Sequence, residues 1–234
     1  MPSRQPFRPV SPRARFGRAR VGRARVGRAR VERASIRRAA QPMPLPRLWL
    51  VSDERMGGGF LDAVAALPPD SGVIFRHYTL PDAERKALFA AALRLCRKKH
   101  GCVLYLADSV WKSLSWQADG VHLSGKSARA VRDARWARRL GLGVTQSVHD
   151  ASEMERANRG GAVALVSPVY PTRSHPDGAV LGAQGFAALA QKARGPVIAL
   201  GGMTPARFAA LVEYRAYGWA AIDALMFGNE TPAL

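Results

Sequence analysis

Short apolar runs alternate with helical patterns eight times between residues 43 and 234. Alternation of this kind is typical of parallel strands joined by crossover helices. Eight such units in about 190 residues fit a closed barrel better than an open sheet. The sequence therefore predicts an α/β protein with a single (β/α)8 TIM barrel, preceded by a tail of very different composition.

The predicted strands are apolar runs of four to eight residues that end in polar or glycine residues. They lie at residues 47–53, 71–78, 101–107, 120–123, 143–148, 162–169, 197–200 and 218–225. Apolar residues at helical spacing predict helices at 60–67, 82–100, 110–117, 127–140, 186–193 and 205–215. Another helix is predicted to end at residue 158, with Asp150 or Ser152 as its N-cap. A long loop at 170–182 follows strand six. Only nine residues follow strand eight, which predicts a truncated or absent last helix.

Residues 196–205, PVIALGGMTP, contain the clearest indication of a ligand site. The apolar run predicts a buried strand, and Gly201 and Gly202 after it let a ligand approach bare backbone. Thr204 is the predicted N-cap of the next helix. A helix N-terminus behind glycines favours anions, although a plain strand-to-helix turn has the same pattern. Because barrels of this class commonly hold phosphate after strands seven and eight, the stretch is interpreted as a phosphate site.

The basic charge of the chain is concentrated in its first 42 residues. They hold 13 arginines and one acid, Glu32, or +12 of the formal net charge of +19, which leaves +7 for the rest. From Phe16 the tail repeats a five-residue unit, FGRAR, VGRAR, VGRAR and VERAS. Such a segment has little apolar bulk and repels itself, so we expect residues 1–42 to be disordered.

The tail has three further interpretations. Its arginine-rich, acid-poor composition resembles an organelle transit peptide, and it could also bind phosphates non-specifically. A sharper hypothesis is that translation starts at Met43 and that the repeat upstream is spurious. The predicted barrel spans residues 43–234 under each interpretation.

The lack of long apolar runs and the low cysteine content predict a cytoplasmic protein without a membrane span. The sequence contains no run of 18 or more apolar residues, and two cysteines, Cys96 and Cys102, are too few for a disulfide framework. A moderately basic barrel is compatible with an anionic small substrate. A homodimer is possible, and an exposed barrel flank near Trp219 would favour one.

The chemistry of such barrels lies at the carboxyl ends of the strands. The residues expected there are Arg76, His77, Asp108, His122, Gln146, Ser147, His149, Thr172, Arg173, Ser174, His175, Gly201, Gly202 and Asp223. This basic rim suits a phosphorylated substrate and proton transfer by imidazole. Three of them have structural alternatives: Asp108 as a helix cap, His122 in the barrel wall and Asp223 as the partner of an arginine. The histidines do not have the spacing of a metal site.

Five motifs resemble the thiamine phosphate synthase and TenI family over residues 45–226. They are DGVHL at 119–123, SVH at 147–149, SPVYPTRSH at 167–175, PVIALGGMTP at 196–205 and YGWAAIDAL at 217–225. The resemblance implies the (β/α)8 fold and an enzyme of thiamine biosynthesis that acts on a thiazole phosphate. The synthases join it to an aminopyrimidine diphosphate with Mg²⁺, whereas TenI aromatises a thiazole carboxylate tautomer without metal.

The resemblance implies that the contacts to the thiazole phosphate are kept. The matching positions are Thr172 and Ser174 in the family's Thr-x-Thr, Gly201 and Gly202 in its glycine turn, and Ile222 with Asp223 at the end of strand eight. The family usually has serine where this chain has Asp223. A carboxylate there would repel the phosphate unless it is protonated or paired.

The contacts to the pyrimidine diphosphate are eroded. Of the family's strand-two pattern Gln-x-Arg-x-Lys only Arg76 remains, and of its Asn-Asp pair after strand three only Asp108. The second magnesium carboxylate of the family falls near Ser127, and His175 replaces its diphosphate lysine. One carboxylate is a poor Mg²⁺ site, so these losses favour chemistry without diphosphate displacement.

The main prediction is therefore a TenI-like thiazole tautomerase that uses no cofactor. His149 would act as acid or base with Ser147 beside it as the second catalytic residue, and Arg76 or His175 would face the carboxylate. The expected partner is a small phosphorylated thiazole, without a membrane and without nucleic acid other than non-specific binding by the tail.

Two alternatives remain open. The first is a divergent thiamine phosphate synthase, with Mg²⁺ on Asp108 and with new diphosphate ligands such as Lys126 and His175. The second is a non-catalytic phosphate-binding or nucleic-acid-binding protein that depends on the arginine tail.

Overall fold

The computed structural model describes residues 44–172 and 179–225. The predictions about the arginine tail, about Arg173, Ser174 and His175, and about the last helix lie outside these residues. For Asp223 the backbone is described but the side chain is not.

Eight parallel strands form a closed barrel in chain order, with β1 paired to both β2 and β8. The strands are β1 (Leu48–Val51), β2 (Gly72–Phe75), β3 (Val103–Leu106), β4 (Gly120–Leu123), β5 (Gly143–Val148), β6 (Val163–Val166), β7 (Val197–Leu200) and β8 (Ala216–Ala221). The predicted (β/α)8 barrel is therefore confirmed.

The helices of the described residues cover the outside of the barrel. They are α1 (Gly59–Ala66), α2 (Asp82–Arg97), α3 (Val110–Ser115), α4 (Ala130–Arg139), α5 (Ala151–Gly160), α6 (Gly182–Lys192) and α7 (Pro205–Leu211). Asp150 is the cap of α5, since its carboxylate accepts the N–H of Glu153. Within 44–172 and 179–225, none of the helices combines the length and the apolar content that a membrane span requires.

Several predicted boundaries are wrong by a few residues. α2 ends at Arg97 rather than at 100, because the chain turns into β3 through Gly101, which has a φ of +64°. β8 begins at Ala216 rather than at 218, because Arg215, with a φ of +68°, ends the preceding 3-10 turn. The strand ends at Ala221, before a second 3-10 turn.

Two aromatic side chains fill the amino-terminal half of the barrel. The rings of Trp49 and Tyr105 meet edge to face, with their centroids 5.0 Å apart. A Cβ on Gly72 would lie 2.2 Å from Trp49, and Cβ atoms on Gly120 and Gly143 would lie 2.6 Å and 1.8 Å from Tyr105. These glycines are the first residues of β2, β4 and β5, so the aromatic pair occupies the space that their side chains would need.

A larger apolar core lies between the barrel and the helices. It includes Phe60, Phe75 and Phe89, which are each at most 1% exposed. Trp219 of β8 belongs to this core and is 1% exposed, so it is not part of an exposed barrel flank. The homodimer therefore gains no support from this residue and stays a prediction.

Gly143→Ala tests the packing of the barrel interior. Its new methyl would overlap the Tyr105 hydroxyl, so the free energy of unfolding is expected to fall by about 1–3 kcal/mol in urea titrations. Gly195→Ala is the control, because no atom lies within 4 Å of that Cβ. Tyr105→Phe should restore part of the loss in the double variant, whereas an unchanged stability of Gly143→Ala would contradict the packing argument.

Candidate active site at the barrel mouth

Polar side chains from several strands meet at the carboxyl-terminal mouth of the barrel. His122 of β4 lies close to both Arg76 after β2 and His149 after β5, and its Nδ1 is 3.0 Å from the hydroxyl of Thr145. Burial, with the nearby charges of Arg76 and His149 acting in the same direction, lowers the pKa of His122 to about 4. His122 is therefore neutral at pH 7.

Arg76 is held in one position by the end of β1. Its Nε donates to the carbonyl of Ser52 at 3.0 Å, and its Nη2 donates to Asp53 at 2.7 Å. Its backbone N–H donates to the hydroxyl of Ser52 at 2.7 Å. Its Nη1 has no partner in the part of the chain that the structure describes, so the N–H groups of this nitrogen remain available to an anionic ligand.

Asp53 is a site residue that the sequence interpretation missed. It is 8% exposed and accepts hydrogen bonds from both Arg55 and Arg76 at 2.7 Å. Burial acts to raise the pKa of Asp53, but the hydrogen bonds and the charges of the two arginines outweigh it and lower the pKa. The only sequence signal was its position as the polar residue that ends the first predicted strand.

His149 is exposed at the rim and has a defined tautomer. Its Nδ1 is 2.6 Å from the backbone carbonyl of Ser167. A carbonyl only accepts, so Nδ1 carries the proton and Nε2 of the neutral ring has a free lone pair. The backbone N–H of His149 donates to the carboxylate of Glu153 at 2.8 Å. Ring and backbone are therefore both fixed, and Nε2 is the atom that can exchange a proton.

A buried network holds the SVH motif. Glu153 is 2% exposed, and its backbone N–H donates to the cap residue Asp150 at 2.8 Å. The hydroxyl of Ser147 accepts the N–H of Gly125 at 3.1 Å. A Cβ on Gly125 would lie 2.2 Å from the carbonyl of Ser147 and 2.7 Å from the carboxylate of Glu153. The loop after β4 is therefore locked onto the end of β5.

The glycine turn after β7 packs against the loop after β6. Gly201 has a φ of +100° and Gly202 a φ of +59°. Their Cβ atoms would lie 2.9 Å from Pro168 and 2.4 Å from the carbonyl of Pro171. The N–H of Tyr170 donates to the carbonyl of Gly201 at 3.0 Å. Close packing alone therefore requires glycine here, and phosphate binding by the turn stays a prediction.

Arg207 is a second residue that the sequence interpretation missed. Its guanidinium donates to the carbonyl of Gly202 and lies 4.8 Å from the ring centroid of Tyr170. Thr204 accepts the backbone N–H of Arg207 at 3.3 Å, as expected for the N-cap of α7. An exposed cation thus lies beside the glycine turn.

The remaining predicted phosphate ligands are only partly described. Thr172 lies in the loop after β6, and Ile222 directly follows β8. Both residues are half-buried. Asp223 begins the 3-10 turn Asp223–Leu225. Ser174 and His175 lie outside the described residues, so their roles stay predictions.

Two residues expected at the rim lie on the outer face of the barrel instead. His77 is buried between Phe60 and Phe75, with its Nδ1 2.9 Å from the hydroxyl of Ser52. Gln146 donates to the backbone carbonyl of Glu153 at 3.2 Å. Both Arg76 and His77 follow the last residue of β2, and His77, with a φ of +41°, packs its ring against Phe60 and Phe75 instead of facing the mouth.

Asp108 is bound by groups of the protein, but the cap of the next helix is Ser109 and not Asp108. One carboxylate oxygen accepts the N–H of Ser109 at 2.7 Å, and the other lies 2.6 Å from Arg85 and 3.4 Å from Lys112. Mg²⁺ is usually held by one or two carboxylates together with substrate phosphates and water. Both oxygens of Asp108 already bind an N–H group or cations of the protein, so this carboxylate does not fit a Mg²⁺ site.

Glu153→Ala tests the support of the SVH motif. The variant removes the acceptor of the His149 N–H and leaves a buried space, so the free energy of unfolding should fall by about 1–3 kcal/mol in urea. Glu153→Gln keeps an acceptor and should lose less. Glu155→Ala on the same helix is the control, because its ion pair with Arg159 is exposed and long at 3.8 Å. Equal effects at positions 153 and 155 would refute the supporting role.

Asp53→Asn tests the arginine pair at the mouth through pH. The folded pKa of Asp53 lies below its ordinary value of 3.8, so the carboxylate stabilises the fold above that pH and this stabilisation is lost as the pH falls. The unfolding free energy of Asp53→Asn should therefore decrease less than that of the wild type between about pH 5 and pH 2. Asp62→Asn, at an exposed position of α1, serves as the control. Parallel pH profiles for the wild type and Asp53→Asn would contradict the assignment.

Comparison with known proteins agrees with the fold and with the motifs. The sequence model of the family described as Thiamine monophosphate synthase matches residues 50–225. A thiamine-phosphate synthase from Chloroflexus aurantiacus is 32% identical over 195 residues, which are 80% of this chain and 88% of the relative. One from Geobacillus thermodenitrificans is 34% identical over 161 residues, 66% of this chain and 70% of the relative.

A solved structure shares the barrel. The thiamine phosphate pyrophosphorylase from Pyrococcus furiosus superimposes with a TM-score of 0.63 at 22% identity, over 79% of this chain and 89% of that chain. At this identity the likeness concerns the fold alone. The match over residues 50–225 shows that the chain belongs to the thiamine monophosphate synthase family, a family of enzymes.

Proposed function

We propose that this protein joins a thiazole phosphate to a pyrimidine diphosphate at the barrel mouth, with thiamine phosphate as the product. The observation that carries the proposal is the family match over residues 50–225, together with relatives that are named thiamine-phosphate synthase. These comparisons support the synthase alternative better than the tautomerase that the sequence analysis preferred.

The charges of the mouth suit two phosphorylated substrates. The thiazole monophosphate would lie at the glycine turn Gly201–Gly202, within reach of Arg207 and of Thr172. The guanidinium of Arg76 is fixed by Ser52 and Asp53 and offers Nη1 to the diphosphate. Charge-assisted contacts of this kind are stronger than neutral hydrogen bonds.

The reaction is a substitution at the methylene carbon of the pyrimidine. The ring nitrogen of the thiazole forms a bond to that carbon, the bond from the carbon to the diphosphate oxygen breaks, and the diphosphate leaves with the electron pair. Negative charge therefore grows on the leaving group, and preorganised cations stabilise it. Arg76 is placed for this role at the mouth. Exposed Lys126 is a further candidate, and so is His175, which lies outside the described residues.

A thiazole tautomerase is the second candidate, because the geometry of His149 specifically favours it. Its Nδ1 proton is bound by the carbonyl of Ser167 at 2.6 Å, so Nε2 can take a proton from one ring atom and return it to another. His122 nearby is neutral at pH 7 and does not act as a competing acid. This reaction requires no diphosphate and no metal.

One set of incubations separates the two reactions. The purified protein is given thiazole phosphate and pyrimidine diphosphate, or the thiazole carboxylate tautomer alone, each with Mg²⁺ or with EDTA. The synthase proposal predicts thiamine phosphate in the first incubation and a loss of about 10²-fold in Arg76→Met, since one stabilising charge is removed. Arg132→Met, at a side chain 70% exposed on α4, should keep its activity.

His149→Gln distinguishes the candidates further. The coupling reaction should survive in this variant, whereas tautomerisation requires Nε2 and should be lost. Aromatisation of the carboxylate tautomer without any thiamine phosphate formation would overturn the synthase proposal and establish the second candidate.

A further inference from the structure

The carboxylate of Asp108 at the end of β3 is enclosed by two cations. Arg85 of α2 donates from Nη1 to one oxygen at 2.6 Å, and Lys112 of α3 lies 3.4 Å from the same oxygen. The other oxygen accepts the backbone N–H of Ser109 at 2.7 Å. Both oxygens are therefore occupied by groups of the protein.

Arg85 cannot move away from Asp108 without breaking other contacts. Its Nε donates to the carbonyl of Arg76 at 2.8 Å, and its Nη2 donates to the carbonyl of Ala107 at 3.1 Å. The side chain is 5% exposed, and its guanidinium carbon lies 5.6 Å from the ring centroid of Trp116. A single guanidinium thus binds the ends of β2 and β3 at once, which fixes it against Asp108.

The local charges already balance. Lys112 also binds Asp82 at 2.7 Å, so two cations, Arg85 and Lys112, face two carboxylates, Asp82 and Asp108. A divalent ion at Asp108 would meet two positive charges within a few ångströms, and like charges at that distance repel strongly. The pKa of Asp108 is lowered, because the N–H of Ser109 and the two cations outweigh the effect of burial.

We infer that Arg85 and Lys112 occupy the place of a divalent cation at Asp108, so that the mouth works without a metal ion on strand three. Asp108 is then a structural anion. Arg85 is a positioning residue, since it holds the backbone of Arg76, whose side chain lies at the barrel mouth. The inference rests on the proposed function only in treating this mouth as the reaction site.

Mn²⁺ binding tests the inference without any substrate. Free Mn²⁺ is followed by electron paramagnetic resonance in the wild type, in Asp108→Asn and in the matched control Asp62→Asn. All three proteins should bind Mn²⁺ equally weakly below about 1 mM, because oxygen-poor sites hold hard cations poorly. Wild-type binding in this range that Asp108→Asn abolishes would overturn the inference.

Lys112→Met gives a positive signal. Removing this partly exposed cation leaves a net negative charge at the cluster, so Mn²⁺ affinity should rise by about tenfold and fall again in the double variant with Asp108→Asn. Unchanged Mn²⁺ affinity in Lys112→Met would contradict the claim that the cation excludes metal. Because no product is measured, failure here is distinct from failure of the coupling assay.

Discussion

The barrel closes around Trp49 and Tyr105, and this packing limits where polar side chains can lie in the barrel interior. Three strands begin with glycine opposite these rings, at Gly72, Gly120 and Gly143, so aromatic side chains fill the amino-terminal half of the interior. Unpaired polar groups are costly in such surroundings. The inward-facing polar side chains therefore lie at the carboxyl-terminal end, and the fold has a single polar mouth in its described part.

Two buried charged residues on helices fix the geometry of this mouth. Arg85 of α2 binds the ends of β2 and β3, and Glu153 of α5 binds the backbone of His149 after β5. Burying a charge is unfavourable unless it is fully paired. Both side chains are paired through backbone groups of the strand ends, so they act less as sources of stability than as supports that hold Arg76 and His149 in place.

The sequence predicted the barrel well because strand and helix alternation is a local property. Strands β4, β5 and β7 lie at their predicted bounds. The mouth was predicted less completely. His77 was placed at the rim, although its ring packs against Phe60 and Phe75 in the core outside the barrel. In the sequence, Arg85 and Glu153 look like ordinary surface charges on helices. Their contacts with the strand ends depend on how the helices pack against the barrel, which a local sequence pattern does not show.

The reaction was harder to predict than the fold. The eroded diphosphate motifs favoured a tautomerase, whereas the family and its named relatives favour a synthase. Arg85 and Lys112 neutralise the carboxylate of Asp108. We infer that these two cations keep a divalent ion from Asp108, which is compatible with the coupling reaction that we propose.

The central claim is that this mouth binds a thiazole through its phosphate. Calorimetric titration of the wild type with the thiazole monophosphate and with its unphosphorylated alcohol tests this most directly. We expect the phosphate to bind about 10²-fold more tightly, because the alcohol lacks the charge-assisted hydrogen bonds that a phosphate accepts. Equal affinity for the two compounds would contradict the account.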